Sequence, residues 1–301
     1  MKIKLIYSIF ILFEVFFFSA SASETEIKFK PGIQIGTIKS DAINEASGMV
    51  ASRKNKSILW VHNDSGNSAT LYAVNHSGEL CGTFHIKDAN SRDWEDIAIG
   101  PGPDKNTDYI YIGDIGDNRS RYSSVIIYRI PEPNVNADSS EKEFEIGPPE
   151  TIELVYPDNP KDAETLIVDS LNGDIYIISK RDLFSKVNYA PYPQSTDKPT
   201  TMTEVTVLPW GMATGGDVSP DGKLVIVREY TFASIWRRPE SEPLWKAFLG
   251  EHYNIELISE PQGESICFDP NGLDFFTLSE RPNQPLYYYQ AMDSDEEPVQ
   301  P

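Results

Sequence analysis

The hydrophobic positions of this chain fall in short apolar runs, separated by turns rich in Gly, Pro, Asn and Asp. Five segments share one order of features: an acidic residue, an apolar run, a turn, and a second apolar run that ends in charged residues. The turns SPDG at 219–222 and DPNG at 269–272 are strong turn signals, because Pro presets one backbone angle and Asp-Gly or Asn-Gly tolerates the others. The pattern predicts paired β-strands along the chain.

The five segments repeat at a nearly constant interval. Four copies begin with the acids Glu45, Glu95, Glu164 and Glu264, whereas the fourth copy has Thr214 at this position and its acid, Asp217, lies deeper along the strand. The steps are 50, 69, 50 and 50 residues. Each copy continues with a third apolar run, and most have a fourth. Four-stranded repeats of about this length are typical of β-propellers. We therefore predict an all-β fold with a single β-propeller of five blades, or of six if an irregular blade lies in the longer step.

The longer step contains an acidic, Pro-rich insertion at 131–149, which we interpret as a loop on the rim. The last copy supplies only three clear strands, and the apolar segment 33–38 ahead of the first copy would supply its fourth. Closing the ring in this way removes exposed sheet edges, which otherwise invite aggregation. We assign the propeller to 23–292 and a disordered acidic tail to 293–301.

Residues 1–22 have the pattern of a secretory signal peptide. Two lysines precede an apolar run over 5–18, and small residues then offer an Ala-x-Ala cleavage site after Ala22. A permanent membrane anchor is the alternative, but the run is shorter than the roughly 20 residues of a transmembrane helix, and Glu14 interrupts it. We expect a secreted or periplasmic protein without a permanent membrane anchor, and a monomer.

Acidic residues outnumber basic residues: 46 Asp and Glu against 26 Lys and Arg give a formal charge of −20 over 301 residues. Such a surface repels phosphodiester backbones, so nucleic-acid binding is not expected, whereas divalent cations or cationic partners suit it. Cys81 and Cys267 could form one disulfide in an exported protein. Both lie in apolar, strand-like contexts, so we favour two buried thiols.

Propeller topology predicts where the charges of the five copies meet. The innermost strand of each blade begins on the face where the second strand ends, so both sets of charges converge around the mouth of the central channel. Near the axis we place Glu45, Glu95, Glu164 and Glu264, with Thr214 at the fifth position. Around them we place Asn63, Asp64, Asp114, Lys180, Arg181, Arg228, Glu229, Glu280 and Arg281.

Carboxylates that converge without bases repel one another, which raises their pKa values unless a cation lies between them. Ca²⁺ takes about six to eight oxygen ligands, so it is the expected ion, with Mg²⁺ or Mn²⁺ next. Zinc is less suited, since His62 is the one histidine placed near the mouth. The candidate ligands are Glu45, Asp64, Glu95, Glu164, Glu264, Asp117 and Asn118. Alternatively, the acids pair with neighbouring arginines and brace the blades.

Two further features at the mouth allow two interpretations each. The loop at 113–119 offers oxygens from Asp114, Asp117 and Asn118, but an Asx-rich tight turn has the same composition. Trp94, beside Glu95, could be a stacking platform for a sugar or another ring, or a buried aromatic side chain between blades.

The stretches DWEDIA at 93–98, YIGDIGDN at 111–118 and TGGDVSPDG at 214–222 resemble a group of secreted bacterial propeller proteins, most of which have no assigned activity. The chain is similar, more distantly, to propellers labelled phytase-like or esterase-like. The phytase-like resemblance implies several Ca²⁺ ions and phosphate-ester hydrolysis, with Lys180, Arg181, Arg228 and Arg281 as the residues that hold phosphate. Similarity to calcium-dependent lactonase propellers implies one channel ion that polarises an ester carbonyl.

The leading hypothesis is a secreted propeller that binds Ca²⁺ at its channel mouth and hydrolyses a phosphate ester or an ester- or lactone-type small molecule. The candidate catalytic residues are Glu95, Asp114 and His62, with Asp64 and Glu229 completing the metal shell or acting as base. The second hypothesis is a non-enzymatic module that binds a carbohydrate or a protein on the same face. A pair of mouth carboxylates could also serve glycoside hydrolysis.

Overall fold

Five antiparallel-based sheets surround a central axis as the five blades of a β-propeller, as the sequence predicts. The computed structural model describes residues 27–137 and 142–292. The predicted signal peptide (1–22) and acidic tail (293–301) lie outside these residues. Within the described ranges, none of the helices has the length and apolar character that crossing a membrane requires.

The strands are numbered along the chain, and each blade is given from the channel outwards. Strand β1 (Ile33–Thr37) precedes blade one, which consists of β2 (Ala46–Ala51), β3 (Ile58–Asn63), β4 (Thr70–Asn75), β5 (Leu80–Ile86) and β9 (Glu143–Ile146). Blade two consists of β6 (Trp94–Pro101), β7 (Asp108–Asp114), β8 (Val125–Pro131), β10 (Glu150–Val155) and β14 (Thr200–Thr201). Blade three consists of β11 (Ala163–Val168), β12 (Ile175–Ser179), β13 (Lys186–Ala190) and β15 (Thr203–Val207).

Blade four consists of β16 (Gly215–Val218), β17 (Leu224–Arg228), β18 (Phe232–Arg237) and β19 (His252–Glu256), with a short 3-10 helix (Leu244–Leu249) between its last two strands. Blade five consists of β20 (Gly263–Phe268), β21 (Phe275–Ser279), β22 (Pro285–Tyr289) and the N-terminal β1. Strand β1 pairs antiparallel with β22, with Ile33 opposite Tyr288. The predicted closure of the ring by the N-terminal strand is thereby confirmed.

Part of the insertion at 131–149 forms a strand, so the prediction of a rim loop is wrong in part. Its strand β9 pairs parallel with β5 and adds a fifth strand to blade one, with Phe144 stacked on Phe84 at 4.8 Å between ring centroids. Glu132 anchors the start of the insertion, because its Oε1 accepts a hydrogen bond from Trp60 Nε1 at 2.9 Å. The open edge of β5 and an apolar partner explain why this acidic segment forms a strand.

The innermost strands are buried on both faces, because each blade packs against the next. Large aromatic side chains, including Trp60, Trp94 and Trp236, fill the layers between blades. Cys81 and Cys267 are buried and form no disulfide within the described ranges, which confirms the prediction of two buried thiols. The rigid inner strands therefore hold the residues at their starts in fixed positions around the channel.

Candidate metal site at the channel mouth

In four of the five blades, the innermost strand has a β-bulge near its start, and the side chain of the bulged residue lies at the channel mouth. The register shifts across a single residue in each case, and these residues are Ser47, Glu95, Glu164 and Glu264. Blade four has a regular register, and Thr214 precedes its inner strand. A bulge re-aims a side chain and is common beside functional sites. We refer to Ser47, Glu95, Glu164, Thr214 and Glu264 as the inner ring.

Blade one contributes Ser47 to the inner ring, so the placement of Glu45 there is wrong. Glu45 is exposed and lies two residues earlier, at the position of Asp93 in blade two. Glu45 to Asp64 and Glu95 to Asp114 both span 19 residues. However, β6 and β7 are longer than β2 and β3, so equal spacing along the chain does not mean equal positions in the two hairpins.

Lys180 neutralises one side of the ring. Its ammonium contacts Glu164 Oε2 and lies 3.5 Å from Glu264 Oε1, and all three side chains are buried. The ring of Tyr230 lies 5.0 Å from the same nitrogen. Burial alone lowers the pKa of Lys180, but the two carboxylates outweigh it and raise this pKa. The bracing interpretation therefore holds for Glu164 and Glu264, which a lysine, and not an arginine, joins across blades three and five.

Glu95 has no such partner. Its side chain is 4 % exposed, and its carboxylate accepts no hydrogen bond or ion pair from any residue in the two described ranges. Burial raises the pKa of Glu95 well above its ordinary value, and the charges of Glu164 and Asp64 raise it further. A buried carboxylate that is surrounded by like charges is costly, and either a proton or a cation between these carboxylates would lower that cost.

Glu95 belongs to two groups of carboxylates. In the first, oxygen atoms of Asp64, Asp93 and Glu95 lie within 4.8 Å of one another. In the second, the same holds for Glu95, Asp162 and Glu164. The second group is already paired with Lys180 on Glu164 and with Arg181 on Asp162. The first group forms no ion pair with the described lysines and arginines, and this makes it the better cation site.

Asp93 is half-buried at the edge of the first group. Burial raises its pKa to about 6, with further contributions from the charges of Asp64 and Asp162. Asp93 and Asp162, which belong to the two carboxylate groups, are absent from the residues selected from the sequence. The signal was present, since Asp-x-Glu occurs in both copies, at 93–95 and at 162–164.

Gly116 lies directly against this group, with no side chain between its backbone and the carboxylates. The amide of Gly116 donates to the carbonyl of Asp93 at 3.1 Å. In blades one and three, the amide at the equivalent position belongs to Asp64 and Lys180, respectively. A Cβ atom at position 116 would lie 2.1 Å from Glu95 Oε1 and 2.6 Å from Asp93 Oδ2. A side chain at this position would therefore displace both carboxylates.

Gly116→Ala is expected to weaken Ca²⁺ binding at least about tenfold, or roughly 1.4 kcal/mol, because the methyl group competes with the ligand oxygens for space. Calorimetric titration with Ca²⁺ measures the change. Gly250→Ala is the control, since its Cβ would meet a single atom, the carbonyl oxygen of Ala247, at 3.3 Å. Equal affinity of Gly116→Ala and wild type would contradict the placement of the ion.

The loop after β7 is built as a tight turn. The carboxylate of Asp117 accepts hydrogen bonds from the amides of Arg121 and Tyr122, at 2.5 and 2.7 Å. The amide of Asp117 donates to Asp162 Oδ1 at 2.9 Å, and Asn118 Oδ1 accepts from Arg181. These contacts favour the Asx-turn interpretation: Asp117 is a member of neither carboxylate group, and Asn118 Oδ1 already accepts from Arg181.

Two residues predicted for chemistry at the mouth lie in the core instead. Trp94 is fully buried and donates to the carbonyl of Asn90 at 2.9 Å, so the stacking-platform interpretation is wrong. His62 is fully buried against Trp94, at 5.5 Å between ring centroids. Burial lowers the pKa of His62 to about 4, so the ring is neutral and out of reach of a ligand at the mouth.

Most of the other predicted residues already have protein partners. Arg228 is fully buried and pairs with Glu260 at 2.9 Å, so its assignment to substrate binding is wrong. Asp114 is buried, accepts from the amide of Asp93 at 2.9 Å and lies 3.5 Å from Arg92. Glu229 accepts hydrogen bonds from the next turn, and Arg181 and Arg281 are exposed.

The raised pKa values predict how the stability of the ion-free protein depends on pH. Asp93 and Glu95 bind protons more tightly in the folded state, so their contribution is fully present below about pH 4, near the unfolded pKa values, and is lost as the pH rises through the folded values. The free energy of unfolding in EDTA should therefore fall between pH 5 and pH 7.5. Urea unfolding at both values measures this, and an equal fall in Glu95→Gln would contradict it.

Comparison with protein-family models and with curated proteins gives no match for this chain. The resemblance to phytase-like and esterase-like propellers therefore stays a prediction.

Proposed function

We propose that the protein is a Ca²⁺-dependent hydrolase whose site is the carboxylate group Asp64, Asp93 and Glu95 at the channel mouth. The observation that carries the proposal is the buried Glu95 carboxylate, which has no donor among the described residues and faces two more carboxylates. The donor set is made of hard oxygen atoms, which suits Ca²⁺ first and Mg²⁺ or Mn²⁺ next. Backbone carbonyls, water and substrate would complete the shell.

When bound, the ion supplies a Lewis acid that polarises a carbonyl or phosphoryl oxygen. Asp64, Asp93 and Glu95 would hold and orient it, and Gly116 lets the carboxylates of Asp93 and Glu95 approach closely because it has no side chain. Glu280 is the candidate proton donor at the same mouth. Burial and the neighbouring Glu264 raise the pKa of Glu280 to about 9, which favours its protonated form.

The charges at the mouth favour an ester or lactone over a phosphate ester as substrate. Of the four basic residues that the resemblance assigns to phosphate, Lys180 and Arg228 are buried and paired with carboxylates. Arg181 is half-exposed but paired with Asp162, which leaves Arg281 as the exposed cation of the set. Hydrolysis of a neutral ester or lactone consumes one water, whose proton passes to the leaving alkoxide, and it needs no basic residue to hold a phosphate.

A panel of lactones, carboxylic esters and phosphate esters tests this function in three conditions: with Ca²⁺, with EDTA, and with the Glu95→Gln variant. We expect Ca²⁺-dependent turnover of an ester or lactone that is lost in EDTA and in the variant. Turnover of phosphate esters alone would move the proposal to the phosphate class. Turnover that survives EDTA would contradict it.

The alternative is a non-enzymatic module that binds a glycan or another small molecule at the mouth. It is favoured by the burial of His62 and Asp114, which leaves the mouth without two of its predicted catalytic groups. Ca²⁺-dependent glycan binding without turnover of any substrate class would support the module.

We also propose that the protein is exported, on the basis of the pattern at 1–22. Extracellular calcium modules work at dissociation constants of about 10⁻⁴–10⁻³ M, so a site with three carboxylates suits that environment. Fractionation of cells tests this, with the protein expected in the periplasm or the medium and not in the cytoplasm.

A further inference from the structure

We propose that Lys180 is a built-in cation that occupies the second carboxylate group, so that the mouth binds one divalent ion and not two. The inference rests on the proposed metal site at Asp64, Asp93 and Glu95. It concerns the adjoining group of Glu95, Asp162 and Glu164, whose oxygens are equally close to one another.

Lys180 occupies a position in its blade that acidic residues occupy in two other blades. Its amide donates to the carbonyl of Asp162 at 3.0 Å, just after the end of β12. The matching amides in blades one and five belong to Asp64 and Glu280. Blade three therefore carries an ammonium where two of the other blades carry a carboxylate.

The side chain then reaches the place that a second ion would take. Its Nζ contacts Glu164 Oε2 and lies 3.5 Å from Glu264 Oε1, while Arg181 pairs with Asp162 from the exposed side. A lysine ammonium has three donors, and these carboxylates and Tyr230 surround it. A divalent ion at Glu95, Asp162 and Glu164 would have to displace the ammonium or lie against it, and the repulsion excludes that ion.

The Lys180→Met variant tests this by ion stoichiometry, measured by native mass spectrometry and calorimetric titration with Ca²⁺. We expect one ion per chain in the wild type and in Lys180→Arg, which keeps the charge, and two ions in Lys180→Met. A single ion in a folded Lys180→Met would overturn the inference. A wild type that binds no ion at all would instead remove the proposed metal site.

A second variant keeps the test decisive if Lys180→Met does not fold. Glu164→Gln removes a buried acid that, on this account, binds Lys180 and not the ion. Its affinity for Ca²⁺ should fall by less than about tenfold, or 1.4 kcal/mol, with a stoichiometry of one. Loss of the ion in Glu164→Gln would show that Glu164 is a ligand of the wild-type ion, and would overturn the role given to Lys180.

Discussion

Glu95→Gln is expected to make the ion-free protein more stable than the wild type and to abolish its response to Ca²⁺. The wild-type carboxylate is buried without a donor among the described residues, so a neutral amide of similar shape removes a cost of burial. The same change removes a ligand that both carboxylate groups share. Thermal unfolding in EDTA and in millimolar Ca²⁺ measures both effects in one experiment.

A higher midpoint in EDTA together with a lost response to Ca²⁺ distinguishes a metal ligand from a structural residue. If Glu95 braced the blades, its loss would lower the midpoint in EDTA. Glu240→Gln is the matched control, because Glu240 is an exposed acid on a turn after β18 and should leave the Ca²⁺ response unchanged. A Ca²⁺ response that persists in Glu95→Gln would contradict the assignment of this ligand.

Arg228→Met is expected to destabilise the protein by about 3–5 kcal/mol, because it leaves a buried carboxylate without its charge partner. Glu260 is 1 % exposed and 2.9 Å from Arg228, which also donates to the carbonyl of Ser265 at 2.9 Å. Urea unfolding in EDTA measures the loss. Adding Glu260→Met should recover much of it, since the uncompensated charge is then gone.

The exposed pair of Lys223 and Asp221, at 3.2 Å, provides the control for this variant. Lys223→Met should change stability by less than about 1 kcal/mol, because surface ion pairs contribute little. If Arg228→Met were equally mild but weakened substrate binding, the original assignment of Arg228 to the substrate would stand and the burial argument would fail.

The fold could be predicted from the sequence because each blade repeats the same turns and apolar runs. The interval of 50 residues and the turns at 219–222 and 269–272 predict five blades, although the 69-residue step left six open, and a missing fourth strand in the last copy implies closure by 33–38. The strand in the insertion could not be predicted, because β9 forms through pairing with the distant β5 and not through its own composition.

The sequence could locate the mouth of the channel, but it could not give the register of the strands that surround it. The distance between two charges along the chain also counts the residues of the hairpin between them, and hairpins differ in length. Equal distances therefore pair Glu45 with Glu95, whereas the residue of blade one at the bulge is Ser47. The repeat pattern also does not show which charged side chains are buried. Arg228 and Lys180 both follow apolar runs, and only the packing of blades shows that each is enclosed with carboxylates.

The most direct test of the account is the thermal unfolding midpoint of the wild type in EDTA and then in increasing Ca²⁺. A ligand that binds only the folded state stabilises it by about 2.7 kcal/mol at one hundred times its dissociation constant, so the account predicts a midpoint that rises with Ca²⁺ concentration. A midpoint that is the same in EDTA and at every Ca²⁺, Mg²⁺ and Mn²⁺ concentration would contradict a divalent cation site at the channel mouth.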